Sequence, residues 1–263
     1  MKKPLKDMAR AQMERSVAAA EPKQTEPEVL VFGVEKEIFA LDVTLPSPEL
    51  KKIAERRWWV KSLCYHDGKL YDGVGVAPEL NNYRGVIYET LADRDLAERD
   101  GFVHALCSHK GRLYDSGNYG ICETFNGVQL MENPKEAIYS LFSIGGELLF
   151  IDGDLNGVSS INSSTYINDK GVLCVCEYKG KVYYATTNSI IDKETGTGIV
   201  LPDRCINAFS VCNNLLYDIS FVRVPKKHHT IDEFFTGRQL FESEKAIEGL
   251  CSAPRKLLAG VLK

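Results

Sequence analysis

No stretch of this chain approaches the roughly 18 consecutive apolar residues of a membrane-spanning helix, and the segment from Met1 to Lys23 lacks the uninterrupted apolar core of a secretory signal. The expectation is a cytoplasmic protein with no membrane partner. A surplus of positive charge is also missing, since 32 Lys and Arg face 36 Asp and Glu for a formal charge of -4. A protein that grips nucleic acid through its phosphates needs a basic face, so no nucleic acid is expected. The eight cysteines, Cys64, Cys107, Cys122, Cys174, Cys176, Cys205, Cys212 and Cys251, do not form the spaced pairs of a zinc site, and most sit inside apolar runs. They read as free thiols packed as small hydrophobes. There is no Ser-His-Asp grouping and no phosphate-binding glycine loop, which leaves catalytic residues unknown and enzymatic activity undecided.

What is present is a repeat. After a helical or disordered leader and linker over residues 1–27, whose linker from Glu21 is twice broken by proline at Pro22 and Pro27, the texture from Glu28 to Lys263 becomes short β-rich runs punctuated by Gly, Asn and Asp. Aligned on a turn position, VKSLCYHDGKLYD (Gly68), VHALCSHKGRLYD (Gly111), YSLFSIGGELLF (Gly146), LCVCEYKGKVYY (Gly180), NAFSVCNNLLYD (Asn214) and IEGLCSAPRKLLA (Arg255) are copies of one another, spaced by 43, 35, 34, 34 and 41 residues. A β-rich repeat of that length is the size of a propeller blade, which holds four antiparallel strands.

An innermost blade strand is covered on both faces, so it must be apolar on both, with Val103, Ala105 and Cys107 on one side and Leu106 on the other. Gly111 or Asn214 supplies the positive φ of a tight turn. The last copy runs out after about two strands, whereas Val29 to Asp42 forms a hairpin with no blade of its own. Pro46 to Arg57 is rich in Lys and Glu, with helix-forming Leu50, Ile53 and Ala54, and does not read as two more strands. The expected architecture is therefore an all-β, six-bladed propeller over residues 28–263, in which the amino-terminal hairpin completes the last blade and leaves no open edge. Seven blades is the alternative count.

The runs VHALCSHKGRLYDSGNYG and VKSLCYHDGKLYDG resemble the repeats of β-propeller proteins, in particular regulator-type blades with an apolar strand, a Gly turn, a Leu-aromatic pair and a Gly loop. The Gly-His and Trp-Asp pairing of WD40 blades and the repeated double glycine of kelch blades are both absent. The resemblance implies an architecture and not an activity, because propellers host many functions.

Candidate site residues follow from equivalent offsets. Asp72, Asp115 and Asp218 each stand four residues past the turn position and are expected to gather at one mouth of the central channel, as an acidic site for a cation or a small polar ligand. Asp152, Asp154 and Asn156 match the first half of a calcium loop, but its twelfth position is Ser163 instead of the chelating glutamate, so a weakly held calcium ion is the one cofactor left open. His66 and His109 share an offset and read as partly exposed residues flanking turns. Cys174 and Cys176 read as core. Two longer connections, Ala77 to Gly101 and Lys226 to Lys245, read as insertions suited to contacting a partner, and one of Trp58 and Trp59 as a cap on the channel. Together these features describe a binding or scaffold propeller that engages a protein partner through its loop-rich face. The alternative is a metal-assisted hydrolase or lyase built on the three aspartates.

Overall fold

The structure is a computed structural model that describes residues 26–76, 84–132, 136–153, 157–162, 165–201, 203–222 and 227–259. Apart from Glu26 and Pro27, the expected leader lies outside the described residues. The strands β1 (Glu28–Val34), β2 (Glu37–Asp42) and β3 (Glu49–Glu55) begin the first blade. Blade 2 holds β4 (Trp59–His66), β5 (Lys69–Val76), β6 (Arg84–Glu89) and β7 (Arg94–Arg99); blade 3 holds β8 (Val103–His109), β9 (Arg112–Gly117), β10 (Gly120–Glu123) and β11 (Gln129–Glu132). Blade 4 contains β12 (Ile138–Ile144), β13 (Glu147–Asp152), β14 (Val158–Ser160) and β15 (Thr165–Ile167), and blade 5 contains β16 (Val172–Tyr178), β17 (Lys181–Thr186), β18 (Ser189–Asp192) and β19 (Gly198–Val200). Blade 6 is β20 (Arg204–Cys212), β21 (Leu215–Val222), β22 (His228–Glu233) and β23 (Arg238–Ser243), after which β24 (Ile247–Pro254) returns to pair with β1. The six innermost strands β24, β4, β8, β12, β16 and β20 touch in ring order. The chain is a six-bladed β-propeller.

Closure follows the expected route with a different division. Blade 1 takes one strand from the carboxy terminus and three from the amino terminus, in the order β24-β1-β2-β3. Its antiparallel register runs from Glu28 opposite Pro254 to Val34 opposite Ile247. The segment expected to be helix-forming is instead the outer strand β3. Most of its residues are exposed or half-buried, so Lys51, Lys52 and Glu55 can sit on a sheet edge without the apolar alternation that marks a strand in sequence. The two supposed insertions are likewise blade material, containing β6 and β7 in one case and β22 and β23 in the other.

The core is divided among the junctions. Six apolar clusters each lie between neighbouring blades, such as Cys64, Ile87, Val103, Leu106 and Leu113 between blades 2 and 3, and Ala105, Cys107, Ile121, Leu141 and Phe150 between blades 3 and 4. Burying one such aliphatic side chain stabilises the fold by about 1.5–3 kcal/mol. Val103 therefore packs with Leu106 and not, as strict alternation predicts, with Ala105. The cause is a β-bulge between Val103 and Ala105 that spends one residue, His104, outside the ladder. All eight cysteines are free thiols, and Cys174 and Cys176 are core residues as expected. Burial pushes the Cys64 thiol up to about 12, far from a reactive thiolate.

At the opposite end of the innermost strands lie the hairpin turns. Both turn residues have positive φ in all five, as at Lys110 (47°) and Gly111 (74°), or Asn213 (50°) and Asn214 (58°). That is the mirror-image turn whose twist matches its strands, and it explains why the repeat is legible at Gly and Asn.

Candidate binding site at the channel mouth

The bulge at His104 is not isolated. Register shifts skip Lys61 in β4, His104 in β8, Tyr139 in β12, Leu173 in β16, Asn207 in β20 and Gly249 in β24. Each innermost strand thus carries one extra residue near its start. In five blades that residue stands seven positions before the turn Gly or Asn. A bulge re-aims its side chain and frees it from the packing that makes the rest of the strand apolar. Lys61, His104, Tyr139, Asn207 and Gly249 accordingly line a cavity of about 380 Å³ at the end of the channel. The flanking Val60, Val103, Ile138 and Ile206 are buried, whereas Tyr139 keeps 48% of its surface exposed.

The cavity sets a few polar groups among apolar ones, and its two charges are paired. Lys61 Nζ lies 2.7 Å from the Glu248 carboxylate across the junction of blades 1 and 2. His104 and His229 are both held below the ordinary 6.5, in each case chiefly by burial, so their rings are neutral at physiological pH. The His104 ring lies 4.8 Å from that of Tyr139, and Asn207 is exposed. Beyond Lys61 stands Trp59, 56% exposed, with the Lys61 ammonium 5.2 Å from its ring centroid and a small hollow beside it lined by Glu35, Val60, Ala246 and Glu248. Trp58 packs on the core instead, and Trp59 lines this hollow and not the axial cavity. Gly249 is the gap in the ring. Its φ is +63°, and a Cβ there would meet the backbone of Ser62 and Leu63 at 3.0 Å, so no side chain fits where blades 1 and 2 approach.

The three aspartates occupy equivalent places on second strands, as their offset predicts, but they do not open on the mouth. Asp72 and Asp115 have no exposed surface and Asp218 has 3%. Arg56 donates to Asp72 through Nε and Nη2 at 2.7 Å, and Arg99 donates to Asp115 through the same atoms at 2.7 and 2.8 Å. Each arginine stands 16 residues before its aspartate, in or just after the outer strand of the preceding blade, and also reaches a threonine carbonyl, of Thr90 or Thr124. These are paired, bidentate ties between blades. Burial raises the Asp72 carboxyl and Arg56 pulls it back. Asp218 accepts a short hydrogen bond from Ser220. The repeated spacing of 16 was the available sign of the pairing, and it joins residues in different copies of the repeat.

The remaining candidates are placed as follows. Asp152 ends β13 and is half-buried, and Asp154 and Asn156 lie outside the described residues. His66 and His109 are buried, not partly exposed, because each turns into a junction: His66 Nδ1 lies 2.8 Å from Ser108 Oγ, and His109 Nδ1 lies 2.9 Å from Ser143 Oγ.

No family model and no curated relative matches this sequence. Among solved structures, a chain in a crystal structure of a nidogen/laminin complex is similar at a TM-score of 0.58 and 12% identity, covering 86% of this chain and 98% of that one. A chain of the mitotic checkpoint complex is similar at 0.51 and 14%, covering 83% and 77%. A protein of unknown function from Bacteroides caccae matches at 0.54 and 12%, covering 86% and 98%. At these identities the likeness is one of fold. No helix among the described residues is long and apolar enough to cross a membrane.

Proposed function

We propose that this propeller is a binding or scaffold module that holds a protein partner against the face bearing the ring of bulged residues. The observation that carries this reading is the ring itself. At one register, the six innermost strands present Lys61, His104, Tyr139, Leu173, Asn207 and Gly249, no two of the same kind. Variation at a position that the bulge releases from strand packing suits a recognition surface, because the side chain there is free to meet a partner. Exposed Trp59 and Tyr139 at the rim supply the aromatic anchors typical of protein interfaces. That two of the similar folds come from structures of protein complexes is in keeping with this. The hydrolase reading loses its support, since the carboxylates it needs at Asp72 and Asp115 are sealed against arginine. Eight free thiols suit a reducing, cytoplasmic setting.

The test is affinity capture from source cells with the wild type, with a Trp59→Ala and Tyr139→Ala double variant, and with Phe125→Ala, whose exposed ring lies beside His66 and Tyr71 at the turn end. A stoichiometric partner is expected with the wild type and Phe125→Ala and is expected to be lost with the double variant. A partner retained by the double variant, or no stoichiometric partner at all, overturns the reading.

A further inference from the structure

Within the same face, the axial cavity has a chemistry of its own. We propose that it binds a neutral, polyhydroxylated small molecule, an oligosaccharide, between the ring of Tyr139 and the polar groups of Asn207, Lys61 and Glu248. The inference rests on reading this face as the binding face, but not on the identity of any protein held there.

The first line of argument is charge. An anionic ligand needs a cation to spare and a cationic ligand needs a free carboxylate. Here the Lys61 ammonium is engaged by Glu248 at 2.7 Å, and burial keeps His104 and His229 neutral. A charged ligand would have to break the pair and leave one member without its partner, whereas a neutral one leaves it whole. The second line is hydrogen-bonding type. The Tyr139 hydroxyl and the Asn207 amide each donate and accept, and the Lys61–Glu248 pair offers donors and acceptors side by side. Hydroxyl groups, which also do both, are the complement of such a mixed set.

The third line is shape. Tyr139 is braced by the His104 ring at 4.8 Å while nearly half of its surface stays free. An exposed aromatic face carries negative charge density that favours polarised C–H groups, such as those on the face of a sugar ring. The cavity of about 380 Å³ lies within the usual range for small-molecule sites, and Gly249 keeps one side of it clear of any side chain.

The test is saturation-transfer NMR on the purified chain. The probes are a panel of neutral tri- to pentasaccharides of α- and β-linked glucose, galactose, mannose and N-acetylglucosamine, with glucose 6-phosphate and glucosamine as charged comparators. At least one neutral probe is expected to give a saturable signal that falls by about tenfold or more in Tyr139→Ala and in Asn207→Ala, the size of effect expected when a binding hot spot is truncated. It is expected to persist in Phe125→Ala. No signal from any neutral probe, a signal indifferent to both mouth variants, or stronger binding of a charged comparator overturns the inference. The assay needs no protein partner, so a negative result here beside a positive capture experiment sinks only this inference, and the reverse sinks only the partner reading.

Discussion

The two ends of the innermost strands have opposite characters. At the turn end, consecutive junctions are tied by hydrogen bonds: His66 to Ser108, His109 to Ser143, the Gly145 amide to the Glu177 carboxylate, Tyr178 Oη to the Asn214 carbonyl, and Asn213 to Glu28 through three bonds. At the mouth end each strand instead spends a residue on a bulge, and in five of the six that residue lines the cavity. The lesson is a division of labour along one strand of about seven residues. Cohesion is concentrated where backbone geometry repeats, and the positions released from cohesion are where chemistry can vary.

The comparison is open to attack by substitution, starting with the largest expected effect. Arg56→Met leaves the Asp72 carboxylate buried without its partner and is expected to cost about 3–5 kcal/mol, read by urea denaturation. If it costs less than a surface change, the arginine–aspartate ties between blades are not structural. Gly249→Val forces a branched side chain into a left-handed conformation against Ser62 and Leu63, with a cost of about 1–3 kcal/mol in the same assay. His66→Ala removes one stitch at the turn end and should cost about 0.5–1.5 kcal/mol.

The next test is pH. His104, His109 and His229 are all depressed below 6.5, mainly by burial. The unfolded chain takes up these protons as the pH falls through 6.5, and the folded chain does so only at lower pH. This part of the stability is therefore fully present above 6.5 and drains away as the pH drops towards the folded values. Denaturation midpoints between pH 7.5 and 5.5 should show the decline, and His104→Asn should flatten it. The smallest effect belongs to Tyr139→Ala and Asn207→Ala, each expected within about 0.5 kcal/mol of wild type because their side chains are exposed. A large loss of stability there would erase the contrast between the two ends.

How much of this was legible in the chain beforehand depended on where the constraint was local. A tight turn needs positive φ at two adjacent residues, so Gly68, Gly111 and Asn214 announced the repeat and, through it, the number of blades. The strand β3 was hidden because an exposed outer strand need not alternate, and Glu49 to Glu55 contains good helix formers. The aspartates were rightly matched to one another but wrongly turned towards the mouth. The orientation of Asp72 and Asp115 is set by Arg56 and Arg99, which arrive from the preceding blade, and a copy-by-copy alignment does not see across that boundary. The mouth ring went unread for a related reason. A bulge changes register without changing composition, and only the recurrence of dissimilar residues seven positions before each turn betrays it.

The shared first blade has a geometric corollary. Glu28 pairs with Pro254, the Arg255 amide donates to the Pro27 carbonyl, and Lys256 meets Glu26, so both described ends of the polypeptide leave from the side away from the cavity. Neither described end therefore stands at the rim of the cavity.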